Sequence, residues 1–522
     1  MIEEIGFISV DNHDSFMSCQ IKNYPVIVKD IATSWLLSTS LNSSTNPIKW
    51  LEKEFDNQEI PVDLYNDKND SYSSCERKMM KISEYYQLSQ QVNTPPLYAK
   101  DWHSFLGKSK RYLYSTPDLF TDDWLNWYYE VSRKNDDYKF MYIGNKNTVT
   151  YLHHDICCSY SWSVNLMGRK KWYLWPPSKA SLLFKNNNLH GELSLNDPRF
   201  DKLNTYSSSI VSDDILDSCI ILMQEKSDGI FVPSGWFHFV ENIIEDKEGH
   251  GFDSSNDNHL NYTISINHNW FNGFSVHEIY AFLLRDLAKI KNEISHLRPN
   301  SLHNVKKNNT FDSGVKLFTE CEYYNQCERL LKANTSIGLL QFIEILTAKA
   351  YTLLKYSSCS KSNAGQDDKF DNYYENESSN ISLWKNYFCP LYCLDDFIEL
   401  DSPYYLRMQS SIVNTSPVRF KANYLSNYFA EPALEFFDIQ FDDYFMNIPF
   451  PVDLMTFSLL VIQNIVITIL RYDELIRHLY INIHTRNSNA TEPEEIGFDE
   501  INDFYFHLNL FSKSLDDYKA KV

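Results

Sequence analysis

The chain has 522 residues, of which 43% are hydrophobic and 15% are aromatic, a composition that excludes a disordered or fibrous protein. At about 150 residues per domain, this length corresponds to roughly two to four domains. The 48 basic and 69 acidic residues give a net charge of −21, so the protein is a poor general binder of nucleic-acid phosphates.

Residues 1–95 are expected to form a mixed α/β segment. β-Branched residues after Pro25 predict a short strand over 25–28, and the segment 47–55, which begins with proline, predicts a helix. The first residues show no basic region followed by an apolar run, so we expect no signal peptide. The ten cysteines form no dense framework, and we expect reduced thiols in the cytoplasm, with the nucleus as a second compartment.

Residues 96–275 are different in character, because short runs of aromatic and β-branched residues alternate there with turn residues. The runs cover residues 139–143, 148–152, 160–166, 171–175, 230–233 and 263–267. Their spacing predicts an all-β sandwich or barrel. A helix over 123–133 precedes these strands, and the charged segment 245–261 is expected to be a surface loop.

The pattern becomes helical after residue 275. Apolar residues recur at steps of three and four over 277–297 and 335–354, which predicts two helices in an extension that covers 276–355. We expect a polar linker over 356–380 and a mostly helical region of unassigned role over 381–522.

The apolar segment 457–470 is shorter than the roughly 20 residues that cross a bilayer, and it contains Gln463 and Asn464. We therefore expect a buried core segment and no membrane association. Its apolar pattern favours a helix, but the β-branched residues 465–467 leave a strand open.

Two strand segments carry residues that can bind a metal ion. Residues i and i+2 of a strand point to the same face, so His153 and Asp155 can ligate one ion while His154 points away. Composition alone gives about two His-x-Asp/Glu triplets by chance. The second one, at His190 and Glu192, lies in an asparagine-rich segment, and we interpret it as a coincidence.

His238 follows a strand that ends at Pro233, and it lies in an apolar setting. A single histidine there is typical of a hydrogen-bonded core residue. Together with His153 and Asp155 it completes two histidines and one carboxylate, the facial triad of non-haem Fe(II) oxygenases. Zinc on the same three ligands is chemically possible.

The consecutive basic residues 169–171 lie in a predicted strand. Alternation places Lys170 with Trp172 on one face and Lys171 with Tyr173 on the other, so only one of the two lysines points inward. A buried lysine is costly without an anion beside it. The alternative interpretation is a solvated basic turn.

Several of these segments resemble those of a known protein family. His153-x-Asp155, the segment 159–177 (SYSWSVNLMGRKKWYLWPP) and the segment 231–238 (FVPSGWFH) resemble the JmjC (Jumonji-C) family of 2-oxoglutarate oxygenases. The segments 98–103 and 263–273 are similar to a group in that family that hydroxylates a lysine of the eukaryotic translation termination factor. The resemblance is dense over about 95–275, and we see none beyond about 355.

The resemblance implies an α+β fold whose core is a double-stranded β-helix, or cupin jelly roll, flanked by an N-terminal mixed segment and a C-terminal helical region. It implies that His153, Asp155 and His238 bind Fe(II). It further implies that Lys170, Thr150, Tyr98 and Asn267 contact the co-substrate.

The resemblance also implies a protein lysyl hydroxylase. Such an enzyme consumes O2 and 2-oxoglutarate and releases succinate and CO2, with ascorbate as a supporting reductant. The expected partner is a translation termination factor, without direct nucleic-acid binding, and the C-terminal helices are expected to form a homodimer interface or to hold the substrate. Two alternatives stay open, namely a JmjC lysine demethylase and a non-catalytic cupin that binds a protein. Cys157 and Cys158 are expected to be small core residues or to line the pocket.

Overall fold

The computed structural model describes residues 6–64, 76–91, 94–106, 112–132, 136–145, 148–179, 219–243, 262–298, 319–362, 408, 411–413, 452–470, 475 and 478–483. The predicted loop over 245–261 and the second His-x-Glu triplet lie outside the described residues, as do residues 363–380 of the predicted linker. Among the described residues, one compact unit comprises those up to Phe271 apart from 130–132, and a second comprises those from Asn272 onward. The domain boundaries inferred from the sequence stay predictions.

The strands are β1 (Phe7–Ile8), β2 (Val26–Val28), β3 (Glu59–Leu64), β4 (Glu76–Lys81), β5 (Leu97–Trp102), β6 (Lys139–Asn145), β7 (Val149–His153), β8 (Tyr160–Met167), β9 (Arg169–Trp175), β10 (Ile220–Gln224), β11 (Gly229–Val232), β12 (Phe237–Ile243), β13 (Tyr262–Trp270), β14 (Ile412–Val413) and β15 (Val452–Asp453). The helices are α1 (His13–Lys22), α2 (Leu36–Ser43), α3 (Pro47–Glu54), α4 (Ile82–Ser89), α5 (Trp124–Val131), α6 (Val276–Glu293), α7 (Glu320–Thr335), α8 (Leu339–Ser362) and α9 (Leu454–Leu470).

Two sheets form the first unit. The larger has nine strands in the order β1-β2-β11-β8-β13-β6-β5-β3-β4, and the smaller has four in the order β10-β9-β12-β7. Consecutive strands from β6 to β9, and again from β11 to β13, alternate between the larger and the smaller sheet. This alternation builds the jelly roll and confirms the predicted α+β fold with a double-stranded β-helix core.

Local sequence explains where the N-terminal helices begin. The side chain of Asn12 accepts a hydrogen bond from the Ser15 amide at 3.1 Å at the start of α1. The side chain of Asn46 accepts one from the Lys49 amide at 2.9 Å, and Pro47 occupies the first turn of α3. Both caps satisfy amides that have no partner within the helix. The proline and the cap confirm the helix that was predicted over 47–55.

An aromatic core lies between the larger sheet and α1. The ring centroids of Phe16 and Phe231 are 5.1 Å apart, and the ring of Phe120 stacks on Trp162 at 5.4 Å. Trp162 and Trp270 are completely buried. Burying one such side chain stabilises a fold by about 1.5–3 kcal/mol, so this cluster holds the strands that carry the site described below.

The second unit contains α6 to α9. The predicted helix over 277–297 is confirmed as α6, followed by a short 3₁₀ turn over Ser295–Leu297. The predicted helix over 335–354 is confirmed as α8, although it begins later, at Leu339, because a turn separates it from α7, which ends at Thr335. Ser336 between them is left-handed, with a φ of 67°. The Glu328 carboxylate accepts a hydrogen bond from the Leu340 amide at 2.9 Å, which caps α8.

The apolar segment 457–470 lies within α9, a helix with mostly buried side chains, so a strand is ruled out there. None of the described helices is by itself both long and apolar enough to cross a bilayer. Only α7 and the first part of α8 pass that test as a pair, and their axes are bent by 78°. None of the six cysteines whose side chains the structure describes forms a disulfide.

Candidate active site

The two histidines predicted as metal ligands lie side by side on neighbouring strands. His153 ends β7, and the antiparallel register pairs it with His238 on β12. Their ring centroids are 4.2 Å apart. Asp155 follows two residues after β7, and one ligand atom from each of these three side chains lies within 4.8 Å of the others. The structure therefore brings the predicted triad together at one point.

Backbone hydrogen bonds set the orientation of both rings. Nδ1 of His153 lies 2.7 Å from the Tyr151 carbonyl oxygen, and Nδ1 of His238 lies 3.1 Å from that of Trp236. A carbonyl only accepts, so each Nδ1 carries the proton and each Nε2 keeps its lone pair for a metal. Burial, and next the charge of His238, hold the pKa of His153 well below its usual value. Its imidazole is therefore neutral and ready to ligate near neutral pH.

Asp155 is held by two hydrogen bonds from the larger sheet. Ser161 on β8 donates its hydroxyl to Oδ2 at 2.7 Å, and Asn269 on β13 donates its amide to Oδ1 at 2.8 Å. Carboxylate oxygens have further lone pairs, so these bonds orient the group and leave it able to ligate. A partner of this kind fixes a metal ligand in place and increases metal affinity.

Replacing Asn269 with alanine should weaken binding of Mn(II), a redox-stable substitute for Fe(II), by about 10- to 100-fold, because Asp155 loses one of its two orienting bonds. Equilibrium dialysis followed by metal analysis measures this loss. Ser161→Ala should give a loss of similar size, and the double variant should lose more than either alone. Wild-type Mn(II) affinity in both single variants would contradict the orienting role.

A strained turn follows the metal ligands. Cys157 and Cys158 have φ angles of 51° and 55°, a left-handed conformation that is uncommon outside glycine, and both side chains are buried. The Cys158 amide donates to the Asp155 carbonyl at 3.1 Å. The turn thus reverses the chain directly after Asp155 and starts β8 at Tyr160. Burial favours the interpretation of the two cysteines as core residues.

Lys170 on β9 is the buried lysine of the basic run. Only 2% of it is exposed, and its ammonium donates to the Ser265 hydroxyl at 2.6 Å. Lys171 is less buried and lies over the Tyr173 ring at 4.9 Å. Burial, and then the charge of Lys100, lower the pKa of Lys170 to about 7. No ion pair joins Lys170 to a described carboxylate, which leaves it available for an anion.

Tyrosine and threonine hydroxyls extend this polar cavity. Thr150 lies 3.4 Å from the Tyr98 hydroxyl, and Tyr98 is 2% exposed. Lys170 lies over the ring of Tyr142 at 5.6 Å. Burial raises the pKa of Tyr98 to about 12. The Tyr98 phenol therefore keeps its proton at neutral pH, which suits a hydrogen bond to a carboxylate.

Two serines orient Asn267 on β13. Ser163 donates to its side-chain oxygen at 2.9 Å, and Ser265 donates to the same oxygen at 3.1 Å. Because that oxygen accepts both hydroxyls, the amide group of Asn267 is left to donate to a further acceptor. Lys170, Ser265 and Asn267 thus form one connected hydrogen-bonded chain beside the triad.

Sequence reasoning missed several residues of this cavity: Lys100, Asp101, Tyr142, Ser161, Ser163, Ser265 and Asn269. The sequence contains a signal for part of this cavity, because polar residues occur at every second position of two strands, β8 and β13, that are otherwise aromatic or apolar. Ser163 pairs with Asn267, and Ser161 pairs with Asn269. A polar face of this kind on a buried strand indicates an internal site.

Some residues remain outside the site. The ring of His154 packs on Phe237 at 5.1 Å and belongs to no metal-binding group in the described part. The indole of Trp172 donates to Gln224 at 2.9 Å, and that of Trp236 donates to the Asn23 carbonyl at 2.8 Å. These two tryptophans are buried and hydrogen-bonded, which favours a core role for them.

The donor set fits a divalent transition metal. Two neutral imidazoles and one carboxylate provide three ligands on one side and leave further coordination positions for other molecules. The same set accepts zinc, so the ligands alone do not select the metal. The buried ammonium of Lys170 fits a carboxylate group of a ligand that also binds the metal.

Known proteins are similar to this chain in sequence. The profile of the cupin-like domain family matches residues 13–275. The 2-oxoglutarate and iron-dependent oxygenase JMJD4 of Danio rerio is 32% identical over 325 residues, which are 60% of this chain and 65% of that protein. The JMJD4 homolog of Drosophila melanogaster is 28% identical over 66% of this chain and 77% of its own length.

A relative whose name specifies a different activity matches a similar share of the chain. The arginine-specific demethylase JMJ20 of Arabidopsis thaliana is 28% identical over 62% of this chain and 64% of its own length. The chain thus covers less than two thirds of the Danio rerio and Arabidopsis thaliana proteins.

Proposed function

Because this chain belongs to the cupin-like domain family, we propose that it is an iron- and 2-oxoglutarate-dependent oxygenase that acts on a protein. One observation carries the proposal, namely the assembly of His153, Asp155 and His238 at one point, together with the buried ammonium of Lys170 on the strand that pairs with β12. Relatives that match most of the chain have names that specify iron and 2-oxoglutarate.

Each residue of the cavity has its own proposed role. His153, Asp155 and His238 would hold Fe(II), which supplies O2 activation as 2-oxoglutarate is oxidised to succinate and CO2 and one oxygen atom is inserted into a C–H bond. Lys170 pairs with the distal carboxylate of the co-substrate, and Tyr98 and Thr150 donate hydrogen bonds to it. The side-chain amide of Asn267 donates a hydrogen bond to the co-substrate.

The finer proposal is hydroxylation of a lysine side-chain carbon in a translation termination factor. Its support is the similarity to the JMJD4 proteins together with the local similarity over 98–103 and 263–273. We propose the cytoplasm as the main location, with the nucleus as a second one, and we propose a homodimer through the helices after residue 275. Neither nucleic acid nor a membrane is part of this proposal.

Demethylation is the second candidate, because one relative is named an arginine-specific demethylase. Removing an N-methyl group begins with hydroxylation of the methyl carbon, so the same triad serves both reactions. The two differ in their products. Hydroxylation adds one oxygen atom to the substrate, whereas demethylation removes one methyl group and releases formaldehyde.

The test incubates the purified full chain with Fe(II), ascorbate, 2-oxoglutarate and a termination-factor domain, and then measures the mass of the domain. We expect one added oxygen on a lysine with wild-type protein and none with His153→Ala. His190→Ala, from the second His-x-Glu triplet, is the matched control and should act like wild type. Succinate formation without a change in this substrate would discard the termination factor and keep the oxygenase. A metal-loaded protein that forms no succinate would favour a non-catalytic cupin.

A further inference from the structure

Lys100 lies in an irregular part of β5, next to the proposed co-substrate cavity. Ala99 pairs with Ile143 and Trp102 pairs with Met141, so Lys100 and Asp101 together oppose the single residue Tyr142 on β6. This arrangement is a β-bulge, in which one strand contains an extra residue. Bulges are common beside active sites, where they redirect a side chain.

The bulge contains a strained residue that the surrounding contacts hold in place. Asp101 has a φ of 57°, which is unusual for a residue with a side chain. Its carboxylate accepts hydrogen bonds at 2.8 Å from both Tyr142 and Arg77. Tyr142 also lies under the ammonium of Lys170. Strain of this kind persists where other contacts enforce it, and it is concentrated at functional sites.

The ammonium of Lys100 is largely buried and weakly neutralised. Its side chain is 12% exposed, and Nζ lies 5.6 Å from the centre of the Tyr98 ring. The ion pair that it makes is with Asp63, at 3.9 Å, a distance too long for a hydrogen bond. The other oxygen of Asp63 accepts a hydrogen bond from Arg77 at 2.7 Å. A buried cation with such poor pairing is stabilised by any anion that approaches it.

Two cations face the same cavity. Lys100 lies over the ring of Tyr98 and Lys170 lies over the ring of Tyr142, and the centroids of these two rings are 6.0 Å apart. The charge of Lys100 also contributes to the lowered pKa of Lys170. Repulsion between the two ammonium groups is relieved when an anion lies between them. One carboxylate of a dicarboxylate can take that position.

We propose that Lys100 is a second cationic contact for the co-substrate, which binds its distal carboxylate together with Lys170. This inference rests on the proposed function. It concerns a residue that belongs neither to the metal triad nor to the hydroxyl and amide contacts described above. The β-bulge and the Arg77–Asp101–Tyr142 contacts would act as the support that keeps the ammonium in place.

Binding of two keto acids to the Mn(II)-loaded full chain tests this role without turnover. 2-Oxoglutarate carries both ends, whereas 2-oxobutanoate carries the keto-acid end and lacks the distal carboxylate. Lys100→Met should weaken binding of 2-oxoglutarate by about tenfold or more, since it removes one charge-assisted contact. Lys170→Met should also weaken 2-oxoglutarate binding, and neither variant should change the binding of 2-oxobutanoate. Lys78→Met removes an exposed lysine of β4 and should change neither affinity.

Lys100→Arg keeps the charge and should restore part of the affinity for 2-oxoglutarate. Unchanged Mn(II) binding in each variant shows that the triad is intact. Wild-type affinity of Lys100→Met for 2-oxoglutarate would overturn the inference and leave the proposed function standing. A metal-loaded wild-type protein that binds neither keto acid would overturn the proposed function itself. A Lys100→Met protein impaired only towards its polypeptide substrate would also overturn the inference.

Discussion

Replacing Asp155 with alanine is expected to abolish metal binding and all turnover. Asp155 is the one carboxylate of the metal-binding group in the described part, and its loss leaves two neutral imidazoles. Removing a residue that only supports a ligand costs 10- to 100-fold in metal affinity, so loss of a ligand should cost at least about 100-fold. The same loss is expected for His153→Ala and for His238→Ala.

Thermal unfolding gives a second measurement of this effect, independent of activity. A metal that binds only the folded protein stabilises it by about 2.7 kcal/mol at a concentration 100 times its Kd. Mn(II) should therefore raise the Tm of the wild type and of His154→Ala, whose ring packs on Phe237 outside the triad. It should leave the Tm of Asp155→Ala unchanged. If Asp155→Ala retained the wild-type shift, the metal would have to lie elsewhere in the chain.

Sequence reasoning reached the triad because strand alternation fixes which residues share a face. His153 and Asp155 are two apart, and the register then places His238 beside His153. Alternation likewise separated Lys170 from Lys171, and the structure buries the first. The roles of these residues stay predictions until variants are measured. Alternation relates His153 to Asp155, whereas the position of His238 beside His153 depends on the pairing of β7 with β12.

The rest of the cavity depends on pairing between distant strands, which one sequence does not reveal. Ser161 and Asn269 are far apart along the chain, and they meet at Asp155 only because β8 pairs with β13. The bulge that contains Lys100 is also a property of the pairing of β5 with β6. The start of α8 at Leu339, later than predicted, depends for a related reason on a distant contact, because the Glu328 carboxylate on α7 accepts a hydrogen bond from the Leu340 amide.

Replacing Lys170 with methionine is expected to weaken 2-oxoglutarate binding by about 10- to 100-fold, the value of one hydrogen bond to a charged group. Lys170 is buried and has no described carboxylate partner, so a co-substrate carboxylate is the anion that its ammonium would pair with. Methionine keeps most of the volume and removes the charge, which limits any packing defect. Lys171→Met is the matched control on the same strand, because that side chain lies over Tyr173 and is only partly buried.

The pH dependence of binding distinguishes loss of charge from loss of shape. Burial lowers the pKa of Lys170 to about 7 in the absence of an anion, so the ammonium is fully present only below that pH. As pH rises above about 7, the free protein loses this proton, and a bound carboxylate must recover it. The affinity of the wild type for 2-oxoglutarate should therefore be constant below pH 7 and fall by up to about tenfold per pH unit above it. Titration calorimetry with Mn(II)-loaded protein measures this slope, which should disappear in Lys170→Met and persist in Lys171→Met. An equal slope in Lys170→Met would assign the proton to another group and remove Lys170 from the co-substrate site.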